Sequence, residues 1–291
     1  MAISIFTNLT SLTAQRILSI NTDRLSQSIE RVASGLRINR ASDDPSGLAV
    51  AETLRSDIRV LRQGLNNVND GISLLNVAES ALGGQVDLLI RLKELASQSA
   101  SGTLTNAERA NLQVEFDQLR AEITRLGTTT EFNGQLLLTG NLNNGGTTIV
   151  IQIGLDSSPN SRLDLSAAAN LTPIAGTIFN ATGLEINTLD ISTAGGALAA
   201  LTPLDDALAN VNVARTATGA VQNRLLSIVS QQTILIENVV GAESQIRDAD
   251  IAEEIALLVR NQILVEAAVA VLAQANLIPE LVLQLLPSNN G

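Results

Sequence analysis

The chain has 291 residues, four phenylalanines, no tryptophan or tyrosine, and neither histidine nor cysteine. Without imidazole or thiol it can hold no Ser-His-Asp or Cys-His nucleophile and no thiolate or imidazole metal site, and its carboxylates form no recognisable hydrolase constellation. A net charge of −11, concentrated in the C-terminal half, makes nucleic acid and anionic membrane surfaces poor partners.

With so few rings to fill a globular centre, the Ala, Leu, Ile and Val content suits long helices packed along narrow seams. Met1 to Gln15 carries no basic residue ahead of an apolar run and no small-residue cleavage site follows, so any export is expected to proceed without a cleaved signal peptide. Absence of cysteine is compatible with a secreted protein that does without disulfides.

From Leu18 an apolar series runs through Leu25, Ile29, Val32 and Leu36 at helical spacing, all on one face. This predicts an N-terminal core helix within residues 1–42. It should loosen at Ser42-Asp43-Asp44-Pro45-Ser46-Gly47, because Pro45 disfavours helical geometry before it and Gly47 adds freedom. The most regular stretch follows at alternating steps of four and three: Leu54, Ile58, Leu61, Leu65, Val68, Ile72, Leu75, Glu79, Leu82, Val86 and Leu89. Such a seam predicts a long helix laid against others. Gly64, Gly71, Gly83 and Gly84 fall outside it, each costing up to ~1 kcal/mol relative to alanine, so tertiary contacts must supply the stability. Thr105 and Glu108 are spaced as a capping box for a shorter helix with the seam Leu112, Phe116, Leu119, Ile123 and Leu126, stopping at Gly127. Residues 43–127 thus read as rod helices folded back on each other.

The pattern changes over 128–203. Asn, Gly and Thr accumulate, notably from Gly140 to Gly146, and then Ile149, Ile151 and Ile153 alternate as a strand does. Leu163 and Leu165 are expected to continue a hairpin, and Leu184 to Ile191 is a weaker strand candidate. Asn-x-Thr triplets stand at Asn8, Asn170 and Asn180, a pattern with meaning only in a cell that glycosylates it.

Helical period returns with Leu204, Ala207, Val211, Ala214, Thr218, Val221, Leu225, Ile228, Gln232, Leu235 and Val239, a rod helix over 204–249. A second joint is expected from Gly241 to Asp250, where Asp250 and Glu253 are placed to cap a terminal helix in 250–291. From Ile251 to Leu286 the charges are Glu253, Glu254, Arg260, Glu266 and Glu280 only. A helix apolar nearly all round is buried on every side. A membrane span needs about 18 to 25 largely uninterrupted apolar residues, and Glu266, Gln274, Asn276, Pro279 and Glu280 interrupt this run, so burial among copies of the same chain is the better reading. The expected fold is mainly α: a long antiparallel coiled-coil helical rod formed by both chain ends, with a small β-hairpin-containing module at the middle.

The chain resembles bacterial flagellin. The resemblance rests on Ser28-Ile29-Glu30-Arg31-Val32-Ala33-Ser34-Gly35-Leu36-Arg37-Ile38-Asn39, Ser42-Asp43-Asp44, Gly47-Leu48-Ala49, Asn69-Asp70-Gly71-Ile72-Ser73 and Phe132-Asn133-Gly134 towards one end. At the other stand Ile246-Arg247-Asp248-Ala249-Asp250, Ala252-Glu253-Glu254, Asn261-Gln262-Ile263-Leu264 and Leu272-Ala273-Gln274-Ala275-Asn276. It departs from the family at Ile251, where an aromatic residue is usual, at Val259, where Thr or Ser is common, at Glu266, where Gln is common, and in the run from Pro287 to Gly291.

What the resemblance implies is a structural subunit, not an enzyme and without cofactor, that assembles head-to-tail into the helical filament used for motility. The first and last helices would pair at the filament core, an assembly core made by Leu18, Leu25, Ile29, Val32, Leu36, Ile251, Ile255, Leu258, Ile263, Leu264 and Leu272. Before assembly these helices are expected to be mobile. The short middle implies a minimal subunit and a thin filament. Implied partners are a flagellar export chaperone, the filament cap and junction proteins and, through Arg91, Leu95 and Glu115, a flagellin-sensing Toll-like receptor. Those three are equally ordinary as two solvated charges and a packing leucine. The implied location is the extracellular flagellum, reached by the flagellar type III route. Competing readings are a hook-filament junction protein with similar ends and a helical membrane-inserting translocator.

Overall fold

A computed structural model describes residues 8–139, 149–165 and 179–285, with side chains of the last helix described as far as Leu277. The glycine-rich stretch Gly140 to Gly146, the Asn170 triplet and the run from Pro287 lie outside the described residues. Five helices dominate: α1 (Leu9–Ser34), α2 (Pro45–Ala100), α3 (Asn106–Thr129), α4 (Ala194–Arg247) and α5 (Ile251–Leu285). Two small antiparallel ladders accompany them, β1 (Glu131–Phe132) with β2 (Gln135–Leu136) and β3 (Val150–Gln152) with β4 (Arg162–Asp164). The mainly α fold with a small β-hairpin module is as the residue pattern predicts. The chain divides into two compact units, one of residues 1–56 and 238–291 and the other of residues 57–237.

In the second unit α2 runs antiparallel to both α3 and α4. Gln85 Nε2 donates to the Ile123 carbonyl at 3.4 Å and Arg91 bridges to Glu115, which orders α2 against α3. Arg215 reaches Glu79 with two bonds of 2.9 and 2.8 Å, Lys93 pairs with Asp205, and Gln232 donates to the Leu61 carbonyl, which orders α2 against α4. Val68, Leu75, Leu82 and Leu89 from the expected seam are buried here, with Phe116 and Ile123 of α3 and Val211, Val221 and Leu225 of α4. The capping box at Thr105 and Glu108 is present with both reciprocal bonds.

The β3–β4 hairpin pairs Ile151 with Leu163, and both side chains are buried. It explains two glycines that the seam pattern leaves out. A Cβ on Gly64 would stand 2.5 Å from the Ile153 carbonyl oxygen, and one on Gly71 would stand 2.2 Å from Ile151 Cδ1. The β3 strand lies directly on the helix, and glycine lets the backbones approach.

Several boundaries differ from the sequence reading. Leu184 to Ile191 forms turns rather than a strand, with Leu184, Ile186 and Ile191 buried as anchors. The third helix runs past Gly127 to Thr129, and Gly127 is buried beneath the Phe179 carbonyl instead of ending the helix. The fourth starts at Ala194, ahead of Leu204, with Pro203 inside it. Proline costs a helix interior ~3 kcal/mol, but Ala197, Ala200, Leu204 and Ala207 continue one buried stripe through it, so packing overrides the local penalty.

In the first unit α1 stops at Ser34, where Gly35 adopts a left-handed φ of 72° and its N–H bonds the Arg31 carbonyl. Leu36 therefore lies beyond the helix, in an isolated antiparallel bridge to Asp248. Pro45 opens α2, in the first turn where a missing N–H costs nothing. The second joint is shorter than expected: α4 continues through Gly241 to Arg247, leaving only Asp248 to Asp250 before α5.

Candidate assembly surface

The first unit is organised by α1 and α5, which run antiparallel: Asn8 Nδ2 donates to the Ala275 carbonyl at 2.9 Å and, towards the far ends, Arg31 Nη1 donates to Glu254 Oε1 at 3.0 Å. Asn8 also caps α1, its side-chain oxygen accepting the Ser11 N–H at 3.0 Å. Residues buried between the helices are small or polar: Ser11, Ala14, Asn21 and Ser28 on α1, Glu254, Ala268 and Ala275 on α5. Leu18, Leu25 and Val32 join them half-buried from one side, and Leu258, Val265 and Leu272 from the other. Two interleaved columns of seven-residue period thus make each half of the seam, one aliphatic and one small or polar.

Because the seam uses small residues, large ones are left outside. Leu9, Leu12, Ile17, Ile20 and Ile29 are exposed on α1, and Ile251, Ile255, Val259, Ile263, Leu264, Val269, Val271 and Leu277 on α5. Ile29 is 51% exposed and Ile263 60%. Each such side chain contributes roughly 1.5–3 kcal/mol when taken out of water, and so many exposed aliphatic side chains on two helices mark a surface meant to be covered.

Of the expected core residues, Leu18, Leu25, Val32, Leu258 and Leu272 bind α1 to α5, whereas Ile29, Ile251, Ile255, Ile263 and Leu264 face outward and Leu36 leaves the helix half-buried. The sequence reading missed Leu9, Leu12, Ile17, Ile20, Val269, Val271 and Leu277, and the polar rungs Asn21, Ser28 and Asn261. Their signal was the heptad columns Ala14, Asn21, Ser28 and Glu254, Asn261, Ala268, Ala275, which a search for large side chains passes over.

The joint between α1 and α2 is tied by two aspartates. Asp43 accepts the backbone N–H groups of Arg40 and Asn39 at 3.0 and 3.1 Å and a bond from Gln27 at 3.0 Å. Asp44 accepts the N–H groups of Gly47 and Ser46 at 2.9 and 3.1 Å, capping α2. The bond from Arg40 above all holds the Asp43 carboxyl below the usual 3.8, and that from Gly47 does the same for Asp44.

At the candidate receptor site, Arg91 and Glu115 are exposed and bound to each other at 2.8 and 3.0 Å, with Glu94 as a second partner of Arg91. Leu95 is 1% exposed within the core of the second unit, so it is a packing residue with no surface to offer. No group of three or more His, Cys, Asp or Glu side chains that could hold a metal ion occurs among the described residues.

Paired chain-end helices that bury their small side chains and expose their large ones define a self-assembling structural protein. Residues 5–143 match the model of the bacterial flagellin N-terminal helical region, and residues 201–286 that of the C-terminal helical region. The chain is similar to a flagellin of Halalkalibacterium halodurans, 40% identical over 279 residues spanning 96% of this chain and 98% of that one. It is equally similar to the flagellar filament 30.7 kDa core protein of Treponema maltophilum, 39% identical over 283 residues with the same coverage. A solved structure of a putative flagellar hook-associated protein from Vibrio parahaemolyticus shares the fold, with a TM-score of 0.57 at 18% identity over 71% of this chain and all of that one. The chain belongs to the bacterial flagellin family. It is a structural subunit of the extracellular flagellar filament and not an enzyme.

Proposed function

We propose that the polymer is held by the aliphatic side chains left outside the α1–α5 seam, with Ile29, Ile255, Ile263 and Leu264 at its centre. Leu18, Leu25, Val32, Leu258 and Leu272 join the two helices within one subunit. The contact between copies is heterologous, the outward face of one meeting a different face of the next, which builds an open helix when the rotation does not close. One observation carries this: Leu9, Leu12, Ile17, Ile20 and Ile29 of α1 and Ile251, Ile255, Ile263 and Leu264 of α5 are exposed while alanine, serine and asparagine are buried. Ile29→Asp and Leu264→Asp are the test. Each should leave the helical content of the monomer unchanged and abolish salt-induced filaments under the electron microscope. Normal filaments from either variant would show that the face lies elsewhere.

Before assembly the same faces suit a chaperone groove that accepts an amphipathic helix. That fits delivery through the flagellar type III route to a growing end bounded by cap and junction proteins. By length and composition α4 and α5 could each also cross a membrane, but the asparagine and glutamate side chains of the α1–α5 seam favour a protein partner. Liposomes at physiological salt should not retain the monomer. Receptor recognition, if mounted on α2 and α3, falls to Arg91 and Glu115, and Glu115→Ala should then weaken receptor signalling without affecting filament growth.

A further inference from the structure

Among the described residues six polar contacts cross the α1–α5 seam, one of them from Asn261 Nδ2 to the Arg24 carbonyl at 3.5 Å, and all agree with a single antiparallel alignment. Beyond the end pairs Asn8 with Ala275 and Arg31 with Glu254, Ser11 Oγ donates to Asn276 Oδ1 at 2.7 Å, Asn21 Nδ2 to the Leu264 carbonyl at 3.4 Å, and Asn261 Nδ2 to Ser28 Oγ at 3.0 Å. Asn21, Ser28 and Glu254 are buried. The aliphatic half of the seam does not choose this alignment. Its leucines and valines repeat every seven residues, so sliding α5 by one heptad sets similar side chains opposite each other again. The polar half does discriminate. A slip that brings Ala268 opposite Ser28 sets Ala275 opposite Asn21 and carries Glu254 past the last turn of α1, away from Arg31, whereas the opposite slip sets Asn261 opposite Asn21 and Glu254 opposite Arg24. An orphaned buried amide shifts an equilibrium by a factor of roughly ten to a hundred, and a buried charge without its partner by more.

We propose that Asn21, the Ser28–Asn261 pair and the Arg31–Glu254 pair are positioning residues for polymerisation. They hold α5 against the slip that would bring Ala268 opposite Ser28, and the register decides where Ile29 of one helix stands relative to Ile255 and Ile263 of the other on the surface that neighbouring copies meet. The outward pattern is therefore written by buried polar groups. This rests on the outward faces being the polymer contact, and the test keeps the two ideas apart by reading register in the monomer.

The chain has no cysteine, so a reporter pair is unambiguous. In full-length protein, Ser11→Cys with Asn276→Cys reports the observed register, and Leu18→Cys with Asn276→Cys reports the slip of one heptad that brings Ala268 opposite Ser28. On that background Asn21→Leu with Asn261→Leu should keep the monomer helical, divide cross-linking between the two reporters, and lower filament yield by about tenfold or more, as the loss of one or two buried amide contacts implies. Exchanging the rung in the otherwise unaltered seam, Ser28→Asn with Asn261→Ser, should keep both the observed cross-link and the filaments, and it remains informative if the leucine variant fails to fold. Cross-linking that stays wholly at the observed pair in the leucine variant overturns the proposal, as does a slipped register with normal filaments. Failure of the outward-face reading is distinct: the cross-links would behave as stated while Ile29→Asp still polymerised.

Discussion

The two units treat their side chains in opposite ways. In the second, the largest residues are the most deeply buried: Phe116, Phe179, Leu75, Leu82, Leu89 and Ile123 are essentially inaccessible. In the first, apart from Ile38 the buried residues are alanine, serine, asparagine and a paired glutamate, while Leu9, Leu12, Ile29, Ile255 and Ile263 stand in water. A unit that hides its large side chains completes its core alone. One that shows them is half of an interface, and its apolar surface acquires value only when another copy covers it.

The most forceful way to break this contrast is to shorten one large residue in each unit. Phe116→Ala should cost the monomer about 3–5 kcal/mol, seen as a lower denaturant midpoint. Ile263→Ala, at a side chain 60% exposed, should change monomer stability by less than about 0.5 kcal/mol yet reduce filament yield. Equal destabilisation of the monomer by both would mean that the first unit is as self-sufficient as the second.

A finer contrast lies within the second unit. Gly64 and Gly83 are both interior to α2, and alanine normally improves such positions by about 0.5–1 kcal/mol. Gly83 has nothing within 4 Å of a built Cβ, so Gly83→Ala should raise the thermal midpoint. At Gly64 the nearest obstacle is the Ile153 backbone oxygen at 2.5 Å, with Gln232 Nε2 at 2.8 Å. A carbonyl in a hairpin cannot step aside as a side chain can, so Gly64→Ala should destabilise by about 1–3 kcal/mol, as other overpacked sites do. A stabilising Gly64→Ala would place the hairpin away from the helix.

These glycines also mark how far the residue pattern could be read. The seam of α2 from Ile58 to Leu89 was legible because each apolar step contacts helices of the same period, and the capping box was legible because it is local chemistry. Gly64, Gly71 and Gly127 were not, since their cause is a distant backbone laid across the helix. Pro203 misled for the same reason, its local penalty being outweighed by a buried alanine stripe that only the assembled unit reveals. In α1 the columns through Leu18, Leu25 and Val32 were found, but Ile29 was chosen over its neighbour Ser28. Size argues for isoleucine in a core, and here the buried partner was the serine, because Asn261 is there to meet it.

The smallest expected effect separates the units by acid. The Asp43 and Asp44 carboxyls lie below the ordinary aspartate value of 3.8, chiefly through the Arg40 and Gly47 backbone N–H groups. In the second unit the Thr105 backbone N–H lowers the Glu108 carboxyl below 4.5. A group depressed in the folded state takes up protons more readily when unfolded, so its stabilisation is full above the unfolded value and is lost as pH falls through the folded one. The α1–α2 joint should therefore hold at neutral pH and loosen only below pH 3.8, whereas the α3 cap should begin to weaken slightly earlier, below pH 4.5. All three groups are largely solvated, which keeps the effect modest. The Gly47 amide resonance, followed by NMR during acidification, should titrate with a midpoint under 3.8 and lose that transition in Asp44→Asn. A midpoint at or above 3.8 in the unaltered chain would mean that the Asp44 carboxylate is not what holds the first turn of α2.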